Sequence, residues 1–260
     1  MEKVSRQEYN APALEKGLDI LELLASSGVP LSKKQIAEMM GRSVGEIFRV
    51  LSVLVRRGYV TFNEKTGKYM FSMQMFTVAN QYPPQLQLLN IAKPLMKVLS
   101  EKINQSCHIS WYDNQHLVVI GREESPYKMG FSLKIGAKLD VCSSGSGIVL
   151  LSFCGTSKRE QILQHSGATA SEIQQAQAPI KETSKQGYFI GPSPQISGIT
   201  NVSVPIFTGT ELLAVLTVPY VTLDSDAVHH AVDSIETTKN ELIKVCDSIS
   251  IQLTPQHKDY

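Results

Sequence analysis

Two helix-start signatures set eleven residues apart constrain this chain more than any other feature in it. Ser32 stands three residues before Gln35, and Ser43 three before Glu46. At that spacing a hydroxyl and a carboxamide or carboxylate satisfy each other's backbone donors at a helix N-terminus. Gly41, between them, suits the left-handed residue that ends a helix. The first helix is therefore short, starting near Lys33 with Ile36, Met39 and Met40 on its apolar face. The second carries Ile47, Val50, Leu51, Leu54 and Val55 at helical spacing and stops at Gly58. Two short helices across a glycine turn make a helix-turn-helix, whose second helix is free to enter a major groove. Tyr59–Phe62 and Lys68–Ser72, β-prone runs around Asn63-Glu-Lys-Thr-Gly67, add a hairpin and hence a wing. Pro12 opens an earlier helix with Leu14, Leu18, Leu21, Leu24 and Ala25 as its core stripe.

The net charge of +1 over 260 residues hides an uneven spread. Residues 11–72 hold nine Lys/Arg against six Asp/Glu, and residues 73–260 hold 14 against 16. That polarity suits a DNA-binding segment on a larger body, and it is also within ordinary surface scatter. The opening MEKVSRQEYN lacks the apolar core of a signal peptide, and no run is long enough for a membrane span, so a cytoplasmic chain is expected. Cys107, Cys142, Cys154 and Cys246 form no CxxC pair and are expected to be reduced and packed.

The pattern divides the chain into a tail (1–10), a winged helix-turn-helix domain (11–72), linker helices (73–105) and a mixed α+β body (106–260). In the linker, Met73–Gln81 reads as a short helix stopped by Pro83-Pro84, and Gln85–Gln105 as a longer one containing Pro94. Its stripe of Leu88, Leu89, Ala92, Leu95, Met96 and Leu99 is too apolar to leave exposed, so it is expected to form a dimer contact. In the body, strands are predicted over Cys107–Tyr112, Leu117–Arg122, Lys128–Leu133, Ile199–Phe207 and Leu212–Val221. Helices are predicted over Ser144–Phe153, Lys158–His165, Ser171–Gln186 and Ser225–Ile251. Without a steady βαβ rhythm, this order points to an antiparallel sheet flanked by helices.

These residues resemble the isocitrate-lyase-regulator (IclR) family along nearly the whole chain. The N-terminal half carries Gly17-Leu-Asp-Ile-Leu-Glu-Leu-Leu24, Ile36-Ala37, Arg49 and Leu51, Leu54, Gly58-Tyr59-Val60 and Lys68-Tyr69 in that family's order. The C-terminal half carries Ile135-Gly-Ala-Lys-Leu139, Ser143-Ser-Gly-Ser-Gly147, Leu150-Leu151, Gly187-Tyr188, Gly198-Ile199, Val204-Pro205-Ile206 and Leu216-Thr-Val218. The resemblance implies a transcriptional regulator with a winged helix, a dimerising linker and a GAF-like effector-binding domain. It is expected to act on double-stranded DNA as a homodimer or dimer of dimers. The chain departs from the family at Gly45 and Glu46, where members commonly place hydroxyl residues. Glu46 is open to three readings: repulsion by phosphate, capping of its own helix, or acceptance from cytosine N4. Gly191 stands where some members carry an acidic pocket residue, and Pro219 where some carry serine.

Arg49 is the expected direct reader of DNA, reaching a guanine edge or a phosphate, with Val44, Gly45 and Glu46 beside it at the helix start; Lys33, Lys34, Arg42, Ser43, Lys65 and Lys68 are candidate phosphate contacts, and Ser32 is counted with them as DNA-binding. Ser143–Gly147 enters a helix whose Gly145 and Ser146 N–H groups suit an anion, or else simply needs glycine for a tight turn. Carry-over from the family adds Phe131, Leu139, Ile199, Asn201 and Thr217 to the same pocket, and a small carboxylate is the expected effector. Cys142 beside two serines raises a nucleophile, but no GxSxG, HExxH or metal-ligand spacing accompanies it, so neither enzyme, cofactor nor metal is expected. The alternative is an effector-binding module with a degenerate reading helix that acts through protein partners.

Overall fold

The computed structural model describes residues 10–79, 81, 83–127, 130–222 and 234–254. They fall into two compact units, Met1–Pro83 and Pro84–Tyr260.

The first unit runs α1 (Pro12–Ser27), β1 (Leu31–Ser32), α2 (Lys33–Met39), α3 (Val44–Arg56), β2 (Val60–Asn63), β3 (Lys68–Phe71) and α4 (Gln74–Ala79). Both predicted capping boxes are formed, Ser32 with Gln35 and Ser43 with Glu46. Gly28, Gly41, Gly58 and Gly67 all take the left-handed backbone conformation that ends a helix or closes a turn. The wing has a third strand that the sequence does not announce: Leu31 pairs with Tyr69 and Ser32 with Lys68, giving the order β1-β3-β2. Its tip closes on itself, Gly67 donating to the Asn63 carbonyl at 2.8 Å while Asn63 Oδ1 accepts from Lys65 and Thr66 N–H.

Two predicted faces are corrected. In α1 the buried residues are Gly17, Ile20, Leu21 and Leu24, whereas Leu14 and Leu18 are 64% and 46% exposed and Ala25 is exposed. The helix turns Gly17 toward α3, where a Cβ would stand in ordinary van der Waals contact with Val50 at 3.6 Å. In α2, Ile36 and Ala37 are buried and Met39 is exposed.

The second unit consists of α5 (Pro83–Ile103), β4 (Cys107–Tyr112), β5 (Leu117–Glu123), β6 (Lys138–Leu139), α6 (Gly145–Phe153), α7 (Thr156–His165), α8 (Ala170–Gln186), β7 (Phe189–Pro192), β8 (Ile199–Thr208), β9 (Glu211–Val221) and α9 (Ile235–Leu253). The six strands pair antiparallel in the order β6-β5-β4-β9-β8-β7. One sheet face meets α5 and α9 in a core that includes Leu88, Ala92, Met96, Leu99 and Ile103 with Leu242, Cys246 and Ile249. The other face lies beneath α6, which packs with α7 and α8 in a second core around Leu139, Ile148, Leu151, Ile162 and Ile180.

The α5 stripe is therefore interior to the chain and not a free dimer face. Leu88, Ala92, Met96 and Leu99 are fully buried, and Leu89 and Leu95 pack at the margin of the same core. On this side α9 packs on β8 and β9, while α5 meets β4 and β5, with the Met96 carbonyl accepting from Cys107 Sγ at 3.8 Å and Leu89 lying against Gly121. Residues 130–133 form no strand; the strand beside β5 is Lys138–Leu139 instead. Lys128 and Met129 lie outside the described residues, as does the expected start of the last helix at Ser225. Among the described residues no helix is long and apolar enough to cross a membrane.

Candidate functional site

α3 is anchored before it is presented. Glu46 accepts from the Ser43 N–H at 3.1 Å, the Ser43 hydroxyl at 2.8 Å and Lys16 Nζ at 2.8 Å. The Lys16 ammonium and the Ser43 donors hold its carboxyl down at about 2. Of its three readings, capping is the one the structure displays, with a tie to α1 added.

The outer side of α3 shows Gly45, Phe48, Arg49 and Ser52, all exposed and spaced as one helical face. Val44 is exposed at the first helical position. Lys33 Nζ sits 4.8 Å from the centre of the Phe48 ring, which ties the start of α2 to this face of α3. Lys34 is 3.7 Å from Glu38 on an exposed turn, and Arg42 is exposed between the two helices. Lys65 and Lys68 share a concave surface under the wing with Thr61, Asn63 and Thr66. Sequence reasoning misses Phe48. Its signal is an aromatic falling outside the Ile47, Leu51, Leu54 stripe, where a polar residue is the usual choice.

The second site is built by strand register. Phe189, Ser203, Thr217, His108 and Arg122 stand opposite one another across β7, β8, β9, β4 and β5. Directly opposed residues share a face, so this row looks toward α6. The next row holds Gly191, Asn201 and Pro219. α6 starts against these rows because its first turn has glycines. A Cβ on Gly145 would lie 2.6 Å from Ser203 Oγ, and one on Gly147 only 2.4 Å from the Val141 carbonyl. Asp140 shapes the entering turn by accepting from the Cys142 and Ser143 N–H groups at 2.9 and 2.7 Å. Ser146 Oγ then meets Thr217 Oγ1 at 2.9 Å, and Thr217 donates to Ser203 at 2.8 Å.

A cavity of about 20 Å³ opens where the α6 N-terminus faces the sheet. The structure brings Phe131, Leu139, Gly145, Ser146, Asn201 and Thr217 together around it. Ile199 lies apart, in a neighbouring cleft with Ile196 and Val221, and Phe131 borders both spaces. Sequence reasoning does not place His108, Leu133 or the rim Ser193-Pro194-Gln195 in this cavity, yet all of them line it, as does Pro219, the position where some family members carry serine. His108 is buried, its Nδ1 has no hydrogen-bond partner, and desolvation pushes its pKa down to about 4. Its lining is free of Lys, Arg, Asp and Glu. Cys142 is no ready nucleophile, since burial, with Asp140 and Glu172 nearby, pushes its thiol up to about 11.

Comparison with known proteins follows the same two units. Residues 13–64 match the IclR helix-turn-helix domain, and residues 80–242 match the bacterial transcriptional regulator IclR C-terminal domain. The HTH-type transcriptional regulator XynR of Escherichia coli is 24% identical over 201 residues, covering 75% of this chain and 80% of its own. The transcriptional repressor IclR of the same organism is 22% identical over 203 residues, covering 75% and 74%. Among solved structures, an IclR homologue from Microbacterium hydrocarbonoxydans complexed with 4-hydroxybenzoate superposes with a TM-score of 0.75 at 18% identity, covering 93% of this chain and 98% of that one. The Thermotoga maritima IclR gives 0.71 at 19% identity, with 93% and 98% coverage. These relatives are regulators and not enzymes. With a helix-turn-helix unit, an effector-type second unit and matches spanning both, the chain belongs to the IclR family of bacterial transcriptional regulators.

Proposed function

We propose that this regulator grips operator DNA in the cytoplasm through the Gly45–Ser52 face of α3 and the lysines of the wing, and that a small organic acid bound in the α6 cavity sets how tightly it holds. The acid reading is carried by one observation: the α6 N-terminus opens onto a cavity lined by hydroxyls and apolar walls and free of acidic side chains. Helix N-terminal N–H groups and the helix dipole favour an anion there. The 4-hydroxybenzoate held by the Microbacterium relative is an acid of this kind. A cavity of about 20 Å³ has room for roughly one water, so its lining must move apart to admit an acid.

On the DNA side, Gly45 has open space around the position of a Cβ, so the α3 start can approach a backbone closely. Glu46 is paired with Lys16, which offsets part of the repulsion that would favour a degenerate reading helix. Dimerisation is proposed at the first unit, where Leu14, Leu18, Val50, Val53, Leu54 and Met75 line an open apolar groove of about 560 Å³. A second copy is its proposed occupant, since two reading heads are what paired half-sites require.

The test combines selection from a random duplex pool with thermal-shift screening of small carboxylates. We expect an enriched duplex with two half-sites about 34 Å apart, or a multiple of that. We also expect carboxylates to stabilise the wild type and to lose that effect in the near-isosteric Thr217→Val. A pool with no enrichment overturns the operator reading, and a hit unaffected in Thr217→Val overturns the cavity assignment.

A further inference from the structure

A carboxylate entering the α6 cavity meets a physical difficulty. It gives up water for a buried site whose lining offers no cation, and an uncompensated buried charge is costly. The N–H groups at the α6 start offset part of that cost. The lining contains one group able to become a cation, His108.

We infer that His108 is the effector's counter-charge: when an organic acid binds, the imidazole takes one proton from solvent and pairs with the ionised carboxylate. The inference rests on the organic-acid reading above. The proton comes from bulk water, the carboxylate stays ionised, and the buried pair is neutral overall. Geometry singles the residue out. His108 sits on β4 directly opposite Thr217, the hydroxyl that bonds the α6 start through Ser146. It is only 3% exposed, yet its Nδ1 has no partner in a site where Thr217 links Ser146 and Ser203 through their hydroxyls. A buried nitrogen left unpaired is unusual enough to call for a partner.

The groups facing His108 from the elements around it do not supply another charge. On β5 the opposing Arg122 is held by Glu124 at 2.9 Å and donates to the Leu133 carbonyl. β9 brings Thr217 and Pro219, α6 brings Ser144, Gly145 and Ser146, and β8 brings Asn201. The segments over the cavity bring Phe131, Leu133, Ser193, Pro194 and Gln195. Asp140, beside the turn into α6, spends its carboxylate on Cys142 and Ser143. Burial alone keeps the empty-site imidazole neutral down to about pH 4, so a bound carboxylate is what would bring its proton in near neutrality.

The experiment uses the full-length protein with benzoate, 4-hydroxybenzoate and propionate, each beside its neutral amide. Calorimetry in two buffers of different ionisation enthalpy counts protons taken up, which needs no variant. We expect about one proton per site near pH 6, and affinity for the best acid rising by up to about tenfold per pH unit from pH 8 toward 6. The amides are expected to show neither effect. In His108→Gln, and in His108→Asn as a second variant, the pH dependence is expected to vanish and the acid to lose at least tenfold in affinity at pH 6. Acid binding with no proton uptake, or with the same pH dependence in the variants, overturns the role of His108 while leaving the cavity assignment standing. Failure of all three acids to bind the wild type at either pH overturns the organic-acid reading and this inference with it.

Discussion

Arg49 reaches out from the middle of the reading face, beside Phe48 and one turn beyond Gly45, where an exposed guanidinium can fork onto a guanine edge. Arg49→Ala is expected to weaken binding to the selected duplex by about 1–3 kcal/mol and to relax preference at one base position. Phe48 fits a thymine methyl, the apolar feature of the major groove. Replacing thymine by deoxyuridine in the duplex should weaken the wild type and leave Phe48→Ala unchanged; equal loss in both would remove Phe48 from base reading. His108 makes a prediction for the free protein as well. It binds a proton at about 4 when folded, against 6.5 for the ordinary side chain, so between those values the unfolded chain holds more protons. Stability therefore rises with pH across that window, and on the order of 3 kcal/mol is lost as pH falls from 6.5 to 4. Chemical denaturation of the second unit should show that slope, and His108→Gln should flatten it.

At the scale of elements, α5 is a core helix. Met96→Ala removes a fully buried side chain from the core that α5 shares with the sheet and α9, and is expected to cost about 2–5 kcal/mol in the second unit. Sedimentation should show its oligomeric state unchanged; dissociation to monomer would return α5 to the dimer interface. The misassignment has a clear source. A helix stripe reports only that something covers it, and nothing in Leu88–Leu99 says whether that cover is this chain's own sheet or a second copy. The winged unit was legible because its signals are local: caps, terminating glycines and a turn lie within a few residues of what they specify. The short strands β1 and β6 were not, because two-residue strands exist only through their partners, Tyr69 and Lys68 for one, Leu117 and Val118 for the other. His108 escaped for a related reason. In Cys107-His-Ile-Ser the alternation reads as one buried and one wet face, but α6 covers the polar face too, leaving Ser110 fully buried as well. Family resemblance reached Ser146 and Thr217, both of which line the cavity with His108.

For the whole molecule, the exposed apolar groove on the winged unit is the expected seat of self-association. Leu18→Glu places a charge in it at a position 46% exposed in the single chain, so the unit should still fold. Sedimentation at micromolar concentration is expected to show a dimer for the wild type and a monomer for the variant, with binding to the two-half-site duplex falling in step. A Leu18→Glu protein that stays dimeric would place the interface elsewhere. The wing carries a different kind of consequence. Ser32 both caps α2 and pairs with Lys68, so the base of the wing cannot slide without unseating the reading helices. The Asn63–Gly67 tip, by contrast, closes on its own residues. Lengthening such a loop costs only about 0.6 kcal/mol per doubling. The tip is therefore where the chain can take up an insertion with the scaffold unchanged beneath it.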